Sequence, residues 1–206
     1  DAKDLRTRLL AHTQVKATLF DSTRFLNMCR LGECPRKLAQ EMLSGVEPND
    51  DLKVRLWKTQ QAEIDLHVRL EQILGKNYIG PRPIQGMDGS VFGYTDGECE
   101  GILLKFKSVP DDEALPNGRA PNNHYWMTQA LMHFGRYKKC IIIYESRTSG
   151  RIRTYEHNYS PEMGKECEKK AELVISAVKQ GKYPGALAEN AIQDELKSES
   201  KPKERV

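Results

Sequence analysis

No stretch of the 206 residues approaches the roughly 18 consecutive apolar residues a membrane-spanning helix needs, so no membrane partner is expected. Cysteine is sparse and odd in number: Cys29, Cys34, Cys99, Cys140 and Cys167, with no CxxC among them. That pattern argues against a disulfide framework or a structural zinc site, and for reduced thiols in the cytoplasm, or the host cytoplasm for a viral protein. The opening, Asp1 to Leu10, is charged and lacks the apolar centre of a signal peptide. It begins with Asp rather than Met, as a trimmed or processed start would. No internal repeat and no domain boundary is visible. Neither sign of charge dominates; a net +3 neither demands nor excludes nucleic acid, and the distribution of charge matters more than its total.

What is present suits one folded domain over residues 1–192, followed by a charged, flexible tail over 193–206 with no apolar period. Hydrophobic residues make up 38% and charged residues 30%, a globular balance. Basic residues gather at Arg24, Arg30, Arg36 and Lys37, at Arg136, Lys138 and Lys139, and at Arg147, Arg151 and Arg153. Helical spacing runs through residues 1–20, then through a short helix from Ser22 that ends near Gly32. Pro35 and Gly45 bracket another helix, and Leu52 to Leu74 forms a long one stopped at Gly75.

The period then changes. Tyr78 to Pro83 reads as extended, Val91 to Asp96 as a strand turning at Gly97, and Gly101 to Val109 as a second strand. Pro110 to Asn123 is polar and reads as a mobile loop. A helix over His124 to Phe134, strands over Lys139 to Glu145 and Arg151 to His157, and a helix from Ser160-Pro161 to Lys179 follow. This order predicts an α/β fold: a central mixed sheet flanked by helices, with an N-terminal helical region.

Alternation along the second strand sets Ile102, Leu104 and Phe106 on one face, over a core. It sets Leu103, Lys105 and Lys107 on the other, where the two lysines converge on a polar site. His67 lies on the long helix, four residues after Glu63 and on the same face. Asp96 ends the preceding strand. The run Phe92-Gly-Tyr-Thr-Asp96-Gly followed by Ile-Leu-Leu-Lys105-Phe-Lys107-Ser resembles the hairpin of the PD-(D/E)XK nuclease superfamily. There an Asp on one strand is followed by Glu/Asp-x-Lys on the next. His67 on a helix is similar to the RecB-type histidine motif. Gln129 in Tyr125-Trp-Met-Thr-Gln-Ala-Leu-Met-His133 resembles the family's Gln-x-x-x-Tyr helix, with His133 in the Tyr place. Cys34-Pro-Arg-Lys and Gly181-Lys-Tyr-Pro resemble its flanking segments, so the likeness covers about residues 20–185.

The resemblance implies a restriction-endonuclease-like core and metal-dependent hydrolysis of DNA, as an exonuclease in recombination, repair or phage DNA processing. It implies Mg²⁺ or Mn²⁺ held by His67, Asp96, the acid at 105 and the backbone carbonyl of Phe106. Lys107 would orient the attacking water and offset phosphoryl charge, beside Gln129. It implies DNA as partner, a recombination or replication protein as a further one, and phosphate contacts from Arg24, Arg30, Arg36 and Lys37. An iron–sulfur cluster, found in some members, is not expected: only Cys167 lies near the C-terminal cysteine group, and four ligands are needed.

At position 105 the sequence departs from the family. Lys105 replaces a negative charge by a positive one, which should repel Mg²⁺. Three explanations stand: a substitution that traps uncut nucleic acid, a natural relative that only binds, or a migrated acid, Glu98 or Glu100. Two functions follow, a nuclease inactivated at Lys105, or a non-catalytic module that binds nucleic acid or protein. Each motif also has a plain reading. Asp96 before Gly97 suits a turn, Lys107 an exposed strand, Gln129 and the basic cluster a solvated face, and a helical histidine is commonly structural.

Overall fold

A computed structural model of the chain describes residues 25–45 and 50–184. The expected helix over 1–20, Arg24, the turn at Pro48-Asn49 and the tail 193–206 lie outside them. Two segments open the described chain: a two-residue strand β1 (Leu26–Asn27) and a 3-10 turn, Met28–Arg30. The helix expected from Ser22 to near Gly32 is not continuous over the described residues: Leu26 pairs with Val91 as a strand, and Asn27 caps the start of the 3-10 turn, its side chain accepting from Cys29 N at 2.8 Å. Helix α1 (Pro35–Ser44) begins with the expected Pro and ends at Gly45, whose φ of 62° needs a residue without Cβ. Helix α2 (Asp50–Leu74) is the long one, followed by a 3-10 turn, Gly75–Asn77.

Seven strands and two helices follow: β2 (Tyr78–Ile79), β3 (Pro83–Gly86), β4 (Val91–Tyr94), β5 (Gly97–Cys99), β6 (Ile102–Val109), α3 (Asn122–Gly135), β7 (Lys139–Ser146), β8 (Ile152–Asn158) and α4 (Pro161–Lys179). They form a five-stranded mixed sheet, β2-β5-β6-β7-β8, and a three-stranded one, β1-β4-β3. Only β6 and β7 run parallel in the larger sheet, because α3 carries the chain across between them. The α/β class and its flanking helices hold, with the sheet divided in two.

Gly97 opens β5 rather than turning the chain. The turn lies at Glu100 and Gly101, both with positive φ (51° and 79°), the backbone that a two-residue hairpin requires. Gly97 serves a close approach instead: a Cβ there would meet the Tyr78 ring at 2.5 Å. The loop from Pro110 to Pro121 is pinned rather than loose. Leu115 and Ala120 are buried, and Pro116 O accepts from Arg153 Nη1 at 2.5 Å and Tyr155 Oη at 2.6 Å.

Both faces of the large sheet are covered. Leu104 and Phe106 pack on Leu66 of α2, with Ile102 beside them. Leu103, Cys140, Ile142 and Tyr144 enter the main core with Leu38, Leu131 and Val174 of α1, α3 and α4. The face expected to be polar is thus apolar at Leu103, and Lys105, only 6% exposed, stands where that core gives way to charge. Among the described residues no helix is long and apolar enough to cross a membrane.

Candidate functional site

Asp96 follows β4 and precedes β5, where the chain passes from the small sheet to the large one. Buried Thr95 anchors this crossing: its N–H donates to Arg82 O at 2.9 Å, and its hydroxyl accepts from Arg82 N at 2.9 Å. The Asp96 N–H donates to Leu104 O at 3.2 Å, which fixes its backbone against β6. Its carboxylate then accepts from Phe106 N at 2.6 Å, filling the place of a ladder carbonyl just before the start of β5. The other carboxylate oxygen accepts from the Lys105 ammonium in a short ion pair, and that ammonium also donates to Tyr94 O at 3.3 Å.

Burial works against the charge on Lys105, but Asp96, Cys29 and Glu63 outweigh it, and its pKa lies above the ordinary lysine value. The side chains of this pair are 8% and 15% exposed, so their attraction acts where water screens little.

His67 comes from α2 and meets the edge of the Phe106 ring, centroids 4.8 Å apart. Its Nδ1 makes a short hydrogen bond with Tyr78 Oη, which in turn donates to Asp96 O at 3.1 Å. The Tyr78 hydroxyl therefore bridges the His67 ring and the Asp96 carbonyl. Burial lowers the His67 pKa and Lys105 lowers it further, against the opposing pull of Asp96, so the neutral ring is favoured. Burial also lifts the Tyr78 hydroxyl to about 12, with Asp96 adding to it.

Glu63 lies one helical turn before His67, half-buried on the same face of α2. Burial pushes its carboxyl up to about 7 and Asp96 adds to this, while Lys107 and Lys105 pull it down. Its partner residues mark it as a member of the same cluster. The signal that identifies it was its spacing from His67, yet only the histidine had been given a role. Tyr78 carried no signal in the sequence beyond an aromatic residue at a strand's start.

The structure therefore brings His67, Asp96, Lys105 and the Phe106 backbone together, with Glu63 and Tyr78. Half-buried Lys107 lies two residues along β6, close enough for its charge to act on Glu63 and His124. Gln129 is otherwise engaged. It is fully buried, its Nε2 donates to Asn158 O at 2.9 Å and its Oε1 accepts from Ser160 N at 2.9 Å, tying β8 to α4. His133, in the Tyr place, shares a 2.8 Å hydrogen bond with Tyr159 Oη. Arg30 is held by Glu33, at 2.7 Å, and by Glu41, and Lys37 pairs with Glu33 at 2.8 Å. Arg30 and Lys37 of that basic cluster are thus neutralised locally. The migrated acids do not supply the missing charge. Glu98 pairs with Arg82 and accepts from Tyr137 Oη at 2.8 Å, and Glu100 sits in the hairpin turn beside Asn77.

These residues do not fit a divalent ion as they stand. The ammonium of Lys105 takes up the Asp96 oxygen a metal would need, and among the described residues no three His, Cys, Asp or Glu side chains gather closely enough to hold one. What the arrangement can present is one cationic donor, half-buried Lys107, on the face of β6 that also carries the buried Lys105–Asp96 pair.

No family model matches the chain, and no curated protein matches it. Solved structures do. The alkaline exonuclease LHK-Exo from Laribacter hongkongensis superposes with a TM-score of 0.56 at 13% identity, over 85% of this chain and 95% of that one. LHK-Exo in complex with dAMP gives 0.60 at 11% identity, over 87% and 96%. A phage-related exonuclease from Haemophilus somnus 129PT gives 0.56 at 11% identity, over 86% and 96%. At such identities the likeness is one of fold: this chain has a nuclease-like fold.

Proposed function

We propose that this chain is an exonuclease-type domain that engages DNA through its phosphates and whose hydrolytic step is blocked by Lys105. The observation that carries this reading is the buried Lys105–Asp96 ion pair at the crossing from β4 to β5. It stands where the resembling superfamily has its second catalytic acid. Lys107 on the same face adds a second cation, and ammonium groups bind phosphate as point charges. The crystal structure of LHK-Exo with dAMP supports a nucleotide as the kind of molecule such a fold accepts.

The residues of this chain then have limited tasks. Asp96 is held by Phe106 N and by Lys105, and Lys107 meets phosphate oxygen. Tyr78 holds the His67 ring beside Asp96. No group here makes water a better nucleophile.

DNA binding measured in EDTA should persist, fall as salt rises and depend little on sequence, since each phosphate contact releases counterion. Lys107→Ala should weaken it. Lys105→Glu should give cleavage that requires Mg²⁺ or Mn²⁺. A chain that binds no DNA, together with a K105E variant that cuts neither single- nor double-stranded DNA, would overturn the proposal.

A further inference from the structure

The small sheet ends in an open edge. Its order is β1-β4-β3, so β3 pairs with β4 on one side and with no strand on the other. Arg82, just before β3, turns its backbone toward β4: its carbonyl accepts from Thr95 N and its N–H donates to Thr95 Oγ1, both at 2.9 Å. Alternation along an antiparallel pair then aims the carbonyl of Pro83 and both backbone groups of Gln85 away from β4. Pro83 and Gln85 are exposed, whereas Ile84 is buried on the end of α3. A Cβ on Gly135 would meet Ile84 Cδ1 at 2.9 Å, and one on Gly86 would run into the Phe134 ring. Beside this edge lies a groove of about 320 Å³, lined by Arg82, Ile84 and Gln85 on one side and by Phe134 and Tyr137 on the other.

The groove carries positive charge. Arg82 pairs with Glu98, which also accepts from Tyr137 Oη at 2.8 Å, so that cation is balanced. Arg136 and Lys138 flank Tyr137, are exposed, and have no ion-pair partner among the described residues. Asp88 lies beyond Gly86, in the turn at the opposite end of β3. A phosphodiester offers acceptors alone and would leave the carbonyls of Pro83 and Gln85 unpaired, whereas a peptide brings N–H and C=O together. We propose that β3 and the C-terminal end of α3 form a docking groove for an extended acidic segment of a partner protein, which adds to β3 as a fourth strand of the small sheet. Its backbone exchanges two hydrogen bonds with Gln85 and donates one to Pro83 O. Every second side chain faces the groove, where carboxylates meet Arg136 and Lys138 and their methylenes lie on the Phe134 and Tyr137 rings. This surface goes beyond the proposed function and needs neither DNA nor hydrolysis.

The test is fluorescence anisotropy of a labelled peptide of alternating Glu and Thr, titrated with the full chain at low salt. As a strand, that peptide has every carboxylate on one face. The unaltered chain should bind it saturably, and more weakly as salt rises. The same peptide with Lys for Glu should not bind. Arg136→Glu combined with Lys138→Glu should weaken binding by about tenfold or more. Gln85→Pro removes the outward N–H and should weaken it about five- to tenfold, whereas Gln85→Ala keeps that N–H and should bind as the unaltered chain does. If Q85P is unfolded by circular dichroism, N-methylation of the peptide's threonines tests the same bonds on the unaltered chain and should cost as much. Absence of binding by the Glu peptide, equal binding of the Lys peptide, or full affinity for the N-methylated one overturns the proposal. So does an oligothymidylate that displaces the peptide and loses affinity in R136E/K138E, since the groove would then be a nucleic-acid surface. A dimer of the unaltered chain that Q85P separates and the peptide leaves intact also overturns it, by making a second copy the occupant. Failure of K105E to cut DNA bears on the proposed function alone.

Discussion

Asp96→Asn is the sharpest perturbation of the site's energetics. The amide keeps the shape of the carboxylate and an oxygen for Phe106 N, so the change is one of charge. It strands the Lys105 ammonium, 8% exposed, with only Tyr94 O at 3.3 Å as a remaining acceptor. Removing one member of a buried ion pair typically costs about 3–5 kcal/mol, far more than the pair contributes net. The loss has a ceiling, because the lysine can shed its proton instead. From an ordinary lysine pKa that costs about 5 kcal/mol at pH 7 and about 2 kcal/mol at pH 9. D96N should therefore melt about 6–20 °C below the unaltered chain at pH 7, and the gap should narrow toward pH 9. The double variant D96N/K105M, which removes both charges and keeps the Phe106 acceptor, should recover most of the loss. Urea unfolding of the two singles and the double at both pH values gives the coupling directly. A D96N loss under about 1 kcal/mol at pH 7, or a gap that does not change with pH, would refute a stranded ammonium.

His124 gives a separate pH signature. Burial first, and Lys107 second, lower its pKa to about 4, while its Nδ1 shares a 2.6 Å hydrogen bond with Tyr144 Oη. A depressed histidine contributes stability that is present above its unfolded pKa near 6.5 and lost as pH falls toward 4. Urea melts across that window should show a decline of about 2 kcal/mol, after allowing for its partial exposure, and H124F should flatten it. Gln129→Ala removes two hydrogen bonds from a fully buried amide and strands Asn158 O and Ser160 N, so urea unfolding should register about 2–4 kcal/mol. A catalytic glutamine with no structural task would leave stability unchanged. Arg153→Ala combined with Tyr155→Phe frees Pro116 O, and limited proteolysis should then cut between Pro110 and Pro121 while the unaltered chain resists.

Much of the fold was legible in the sequence because punctuation and period agreed. Pro35 and Gly45 bracket α1, Ser160-Pro161 starts α4, and alternation placed Leu104 and Phe106 on one face of β6. The misreadings have local causes. Leu26 pairs with a strand 65 positions away, Val91, a partner no local propensity announces. Gly97 looks like a turn residue but is there to admit the Tyr78 ring, a contact from another strand. The polar composition of 110–121 signalled looseness, while Arg153 and Tyr155, far along the chain, hold its backbone.

The site divides along the same line. His67, Asp96, Lys105 and Lys107 were visible because motif order carries them, whatever the chain does in space. Glu63 and Tyr78 were not assigned roles, because their roles come only from contact across elements. The charge balance at the site is set by Asp96, whose carboxylate pairs with the Lys105 ammonium at the crossing after β4, while Glu63 on α2 adds a weaker electrostatic pull. That explains how a lysine can be 6% exposed in the fold's centre and still be charged. The site as it stands already holds a cation, since that cation is covalently part of the chain.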